Sequence, residues 1–259
     1  MTEQTVSKYW RAFNPTSGCS DRFPCWDRCW ARGFAAARPQ TTRGSGFEPT
    51  CHPEVLHEPG RWHPERWGAG FRLDDRPVVA TTYMGDLFDP SIPFEFIGAV
   101  YGVEAAQEGC TFLHLTKTVD RRREFLRWLG STPLARCAEL ARLAGAPVSI
   151  PGMGDDLPFQ VPPKWPLHHV WEGTSISMQE DVERIDDVVV WLSVEPLLER
   201  VDLHLSRFFY AGKCRIRLVI VGPETGRRAR KHDPEWINDV RRQCESAGVR
   251  CLVKSRYSA

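Results

Sequence analysis

From residue 77 onward, short β-prone apolar runs alternate with stretches of helical spacing. β-prone runs fall at 78–83, 111–116, 168–176, 188–194, 216–221 and 248–253. Helical patterns fall between them, at 94–107, 121–129, 133–144, 179–187 and 234–246. Strands that alternate with helices imply a parallel sheet with helices packed outside it. Several of the runs are almost continuously apolar, Val188-Val189-Val190-Trp191-Leu192 among them, as expected of strands buried on both faces.

The first 75 residues read differently. Residues 11–75 are rich in Pro, Gly, Arg, Trp and Cys and hold no sustained period. A long irregular stretch in a compact protein is usually functional or disordered, and the Trp and Cys content argues against disorder. The expectation is one domain over residues 1–259, with 11–75 as a special segment and 77–254 as the alternating part. Residues 155–163 read as a loop.

Composition sets further bounds. Apolar residues make 42% of the chain and charged residues 26%, ordinary for a folded protein and too apolar for disorder throughout. The net charge of +1 excludes a strongly basic coat protein for nucleic acid but not a local basic patch. No apolar run approaches the roughly 18 residues of a membrane span. The first nine residues are polar and lack a signal core, so a cytoplasmic location is expected. Nine cysteines in a cytoplasmic chain favour metal or redox use for some of them over a disulfide framework.

In α/β folds, ligands gather at the carboxyl ends of the strands. Five of those ends are polar here: Gly85-Asp86, Thr116-Lys117, Thr174-Ser175, Val194-Glu195 and Gly222-Pro223-Glu224. Asp86, Lys117, Ser175, Glu195 and Glu224 are therefore expected to line one concave mouth. The basic run Arg227-Arg228-Ala229-Arg230-Lys231 follows the last of these ends, and there Arg227, Arg228, Arg230 and Lys231 could meet phosphates. A solvated face is the plain alternative.

The strongest local feature is Cys19, Cys25 and Cys29, three thiols within eleven residues. Thiolates suit iron–sulfur clusters and zinc. Three cysteines can hold a [4Fe–4S] cluster with one iron open, or they can bind zinc with Cys51, His52 or His57 as fourth ligand. The spacing of five residues and then three fits neither the zinc C-x-x-C knuckle nor the three-then-two spacing usual in cluster loops. Cluster, zinc and no metal all stay open on spacing alone. Cys110, Cys137, Cys214, Cys244 and Cys251 sit in or beside predicted elements and read as core packing. Within 43–72, Trp62 and Trp67 could stack on a base displaced from DNA, or the segment could simply cover a sheet edge.

Taken together, these motifs resemble a known family. Phe13-Asn14-Pro15, Gly18-Cys19, Cys29-Trp30-Ala31, Phe47-Glu48-Pro49, Gly85-Asp86-Leu87-Phe88, Leu115-Thr116-Lys117, Val194-Glu195-Pro196 and Glu224-Thr225-Gly226 look like the three-cysteine phage proteins related to radical S-adenosylmethionine enzymes. Two departures stand out: the middle cysteine lies one place early, and Gly-Pro-Glu replaces Gly-Gly-Glu at 222–224.

The resemblance implies an α/β partial TIM-like barrel, a [4Fe–4S] cluster on Cys19, Cys25 and Cys29, and S-adenosylmethionine held near Asp86, Lys117, Ser175, Glu195 and Glu224. Some phage members are similar to isomerases of thymidine hypermodification. In that chemistry, an N-linked glycinyl group on the thymine methylene becomes Cα-linked, and the modified DNA evades host restriction. The partners implied are DNA or a modified nucleotide and a reductant for the cluster, in the host cytoplasm. Two rivals remain: another radical reaction on a base, such as repair of a thymine lesion, and a non-enzymatic zinc-stabilised binding module.

Overall fold

The computed structural model describes residues 11–21, 25–68, 70–146, 165–225 and 229–254. The chain divides into two compact units, one ending at Val170 and one beginning at Trp171. Each unit is a piece of parallel sheet with helices against it, the α/β class expected for a partial TIM-like barrel.

In the first unit, β1 (Arg11–Phe13), β5 (Arg76–Thr81) and β6 (Thr111–Thr116) run parallel. Phe13 is in register with Thr81, and Ala80 with Leu113. Two short ribbons join them. β2 (Thr16–Ser17) pairs antiparallel with β3 (Thr50–Cys51), and β4 (Arg72–Leu73) pairs antiparallel with β5. Among the described residues the unit holds the α-helices α1 (Trp30–Ala37), α2 (Phe94–Ala105), α3 (Val119–Leu129) and α4 (Pro133–Leu143).

The core packs Phe13, Val79 and Phe112 of the sheet against Ile97, Val100 and Tyr101 of α2 and Phe125 of α3. Helix α2 is apolar nearly all round and buries nine consecutive residues, as a helix covered on several sides must. Its Gly98 and Gly102 admit α4 at close range, since a Cβ on Gly102 would lie 2.2 Å from the Cys137 carbonyl oxygen.

The second unit holds β7 (Val170–Ser175), β8 (Trp191–Val194), β11 (Leu218–Val221) and β12 (Arg250–Val253). Successive members of this set pair in parallel. β9 (Phe209–Tyr210) and β10 (Lys213–Cys214) form a separate hairpin. Helix α5 (Pro234–Ser246) is capped by Asp233, whose carboxylate accepts the Glu235 N–H, and Pro234 occupies its first turn. Val240 and Cys244 of α5 pack on Leu192, Val219 and Val221 of the sheet.

Differences from the sequence reading are local. The segment 11–75 is not irregular throughout, because β1 and α1 lie within it. β1 has only three residues, and its ladder comes entirely from β5. The expected helix at 179–187 is a 3-10 helix, Gln179–Arg184. There the Asp181 carboxylate accepts the N–H groups of Ser177 and Met178, which tightens the turn. The strand expected at 188–194 starts only at Trp191, because Asp186 takes the Val188 N–H into a turn. The loop reading of 155–163 falls outside the described residues. Among the described residues no helix is long and apolar enough to cross a membrane.

Candidate metal centre

The cysteine loop is fastened to the carboxyl end of β5 by backbone contacts. Gly18 donates its N–H to the Met84 carbonyl at 2.9 Å, and Cys19 donates to the Phe47 carbonyl at 3.1 Å. Gly18 and Gly85 meet as a parallel bridge. Gly18 has φ +82°, and a Cβ there would lie 2.2 Å from the Glu48 carbonyl oxygen. A Cβ on Gly85 would lie 2.4 Å from the Gly18 carbonyl oxygen. Both positions require glycine because two backbones touch.

The next residue locks the loop from another side. Ser20 donates its N–H to Asp89 Oδ2 at 2.7 Å, and its hydroxyl donates to both oxygens of the same carboxylate. Asp89 is fully buried. Beside it, Asp86 is buried and accepts from Thr116 Oγ1 at 2.7 Å, Lys117 N at 3.0 Å and Phe88 N at 3.0 Å. Burial pushes its pKa up, and these hydrogen bonds pull against that shift. Asp86 thus ties the loop after β5 to the loop after β6.

Cys19, Cys25 and Cys29 are each partly buried free thiols. Burial pushes the Cys19 thiol well above its ordinary range, and the neighbouring charges of Asp86 and Cys29 push the same way. Cys25 is raised by burial, with a smaller upward push from Cys29. The Lys117 ammonium opposes both shifts. Cys19 and Cys25 thus each feel the charges of Lys117, Cys29 and Asp86.

Among the described residues no three His, Cys, Asp or Glu side chains stand ready-made around one ion. The donor chemistry nevertheless fits a thiophilic centre. Asp86 and Asp89 beside the loop are held by protein donors, and ionising Cys19 and Cys25 is costly until a metal charge compensates them. The zinc alternatives fit less well. His52 is engaged on both ring nitrogens, by Ser17 Oγ at 2.8 Å and by Glu54 at 3.4 Å. Cys51 packs against the core.

Trp62 and Trp67 do not present free faces. Trp62 packs edge-on to Phe13 and stacks on Phe112, while Arg11 covers Trp67 at 4.1 Å. This part of 43–72 covers the sheet. Cys110 and Cys137 lie in the core of the first unit and Cys244 in that of the second, with Cys214 and Cys251 packed against the latter, as expected.

The remaining predicted site residues lie in the second unit. Ser175 ends β7, in register with Ser193. Glu195 pairs with Lys254 Nζ at 3.2 Å, at the carboxyl ends of β8 and β12. Gly222 makes room for that pair, since a Cβ there would lie 2.9 Å from Glu195 Oε1. Glu224 accepts both Nε (2.8 Å) and Nη2 (2.9 Å) of Arg230 and its backbone N–H. Arg230 therefore spends its guanidinium on Glu224, and Lys231 is exposed. Arg227 and Arg228 fall outside the described residues.

Asp89, Ser20 and Lys254 were not singled out from sequence. Lys254 follows the last strand directly, the same signal that marked the other strand ends. Asp89 closes the polar cluster after β5, but its hold on Ser20 depends on a partner 69 residues away.

Residues 4–257 match a family model described as Protein of unknown function (DUF5131). No curated protein and no solved structure matches the chain.

Proposed function

Starting from the fact that the chain belongs to the DUF5131 family, we propose that it is a radical S-adenosylmethionine enzyme, an isomerase acting on an amino-acid-modified thymidine in phage DNA. The observation that carries this reading is the fastening of the three-cysteine loop at the carboxyl end of β5, by the Gly18–Gly85 bridge and by the grip of Asp89 on Ser20. The resemblance of the ordered motifs to three-cysteine radical proteins supplies the reaction class. When bound, a [4Fe–4S] cluster would supply the electron that cleaves S-adenosylmethionine and so allow hydrogen removal from an unactivated C–H bond, chemistry that side chains cannot perform.

The chain's own residues bind and position. Cys19, Cys25 and Cys29 are the ligands of the cluster. Lys117 offsets part of the negative charge that three thiolates accumulate. Asp86 and Asp89 hold the loops in place through their hydrogen bonds and stay out of the ligand set. The substrate is a thymidine whose N-linked glycinyl group becomes Cα-linked.

The test is anaerobic reconstitution with iron and sulfide, followed by metal and sulfide analysis and visible absorption. About four irons per chain with a sulfide-to-iron charge-transfer band, both lost in the Cys19→Ala/Cys25→Ala/Cys29→Ala variant, is the expected result. Reductive formation of 5′-deoxyadenosine, and then conversion of glycinyl-modified DNA, would follow. One zinc per chain without sulfide or colour would overturn the reading in favour of a zinc-stabilised binding module.

A further inference from the structure

Two exposed aromatic rings stand beside the thiol loop. Trp30 is 51% exposed and Tyr83 is 40% exposed, and their ring centroids lie 5.0 Å apart. Trp30 opens α1 directly after Cys29, and Tyr83 lies in the turn that leads from β5 to Gly85 and Asp86. Scattered exposed aromatics need no explanation. A contacting pair beside a candidate reaction centre is different, because folding leaves its area in water.

The surroundings are cationic and open. From Cys25 to Phe47 the chain carries four arginines, Arg28, Arg32, Arg38 and Arg43, against the single acid Asp27, although the whole chain is nearly neutral. Arg43 is drawn to Glu54 and Glu58. Arg32 lies over Trp26 at 4.4 Å, Arg38, just past the end of α1, lies over Phe34 at 4.8 Å, and both arginines are exposed. One turn along from Trp30, Gly33 is exposed, and a Cβ there would touch nothing within 4 Å. The exposed positions of α1 thus carry a ring at Trp30, bare backbone at Gly33 and a guanidinium at Arg32, with a second guanidinium at Arg38 just past its end.

We propose that Trp30 and Tyr83 form a stacking platform for an unpaired base of a DNA strand, with Arg32 and Arg38 meeting the flanking phosphates. Bases stack on exposed aromatic faces irrespective of sequence, and cations beside them track the backbone. An enzyme that works on a base inside a duplex must also hold that base outside the stack. This inference deepens the proposed function by naming the strand contact and rests on that reading for its biological meaning. Its physical basis is separate from the cluster.

The test is fluorescence anisotropy of the full chain with dye-labelled single-stranded oligothymidylate at low salt, with free thymidine monophosphate as a further arm. Trp30→Ala and Tyr83→Ala should each weaken single-strand binding roughly five- to a hundredfold, and Trp30→Phe should lose less than Trp30→Ala. Arg32→Ala/Arg38→Ala should flatten the dependence of log affinity on log salt by about 1 to 1.5. The mononucleotide should bind far more weakly than the strand.

Iron content and thermal midpoint, measured on the same samples, separate stacking from misfolding. The platform is overturned if wild type does not bind the strand, if both alanine variants bind within twofold of wild type, or if they change self-association instead of DNA affinity. Loss of iron binding with intact strand binding would sink the proposed reaction and leave the platform standing.

Discussion

Gly18 shows how much a single position can decide. Its positive φ and its contact with the Glu48 carbonyl leave no room for a methyl group. Gly18→Ala is expected to cost about 3 kcal/mol, read as a lower midpoint in chemical denaturation, because both backbone strain and a clash with main chain are added. Asp86 makes a complementary case. Asp86→Ala would leave the Phe88 and Lys117 N–H groups and the Thr116 hydroxyl without their acceptor, at a cost of about 2–4 kcal/mol measured the same way.

A buried histidine sets a pH response. His169 is fully buried and donates Nε2–H to the Glu104 carbonyl at 2.9 Å, and burial holds its pKa below the usual 6.5. The unfolded chain takes up a proton near pH 6.5 that the folded chain refuses. Stability therefore falls as pH drops from 6.5 towards the lowered folded value, by at most about 1.4 kcal/mol per pH unit, and levels off below it. Denaturation curves between about pH 7 and pH 5 should show this loss in wild type. His169→Gln, which keeps an N–H donor but does not titrate, should show less of it.

At the scale of elements, the α2–α4 contact distinguishes two glycines that look alike in sequence. A Cβ on Gly98 meets the tip of Leu140 at 2.5 Å, whereas one on Gly102 meets the Cys137 main chain at 2.2 Å. A side-chain tip can rotate away and a helix backbone cannot. Gly98→Ala is expected to cost about 1 kcal/mol and Gly102→Ala about 3 kcal/mol or more, compared by thermal or chemical denaturation of the two variants.

Most elements were legible from periodicity. β6 and α5 have the expected ends, and α2, α3 and α4 differ from expectation by at most two residues at each end. β1 was not legible, since three residues carry no period and become a strand only because β5 offers a free edge. The turn at Gln179–Arg184 was misread for a related reason: one carboxylate, that of Asp181, overrides the helical spacing around it.

At the scale of the whole molecule, loading the thiol loop should stabilise the chain. A cluster that binds the folded state raises its unfolding free energy by mass action. Anaerobic scans of reconstituted and metal-free protein should show a higher thermal midpoint for the former, and the triple cysteine variant should show no increment. Stripping the cluster from loaded wild type with a chelator and an oxidant should return its midpoint to the metal-free value.

By itself the sequence determined the α/β class, the alternation of strands and helices from residue 77 onward, and which thiols crowd one loop. These follow from hydrophobic period and from spacing, both local properties of the chain. Tertiary structure alone decided that Gly18 and Gly85 meet, that Asp89 holds Ser20 from 69 positions away, and that Glu224 claims Arg230. It also turned Trp62 and Trp67 into the core while leaving Trp30 and Tyr83 in solvent. Tryptophan carries the same apolar surface at every position. Which rings are buried depends on what the folded chain lays over them, and no local pattern records that.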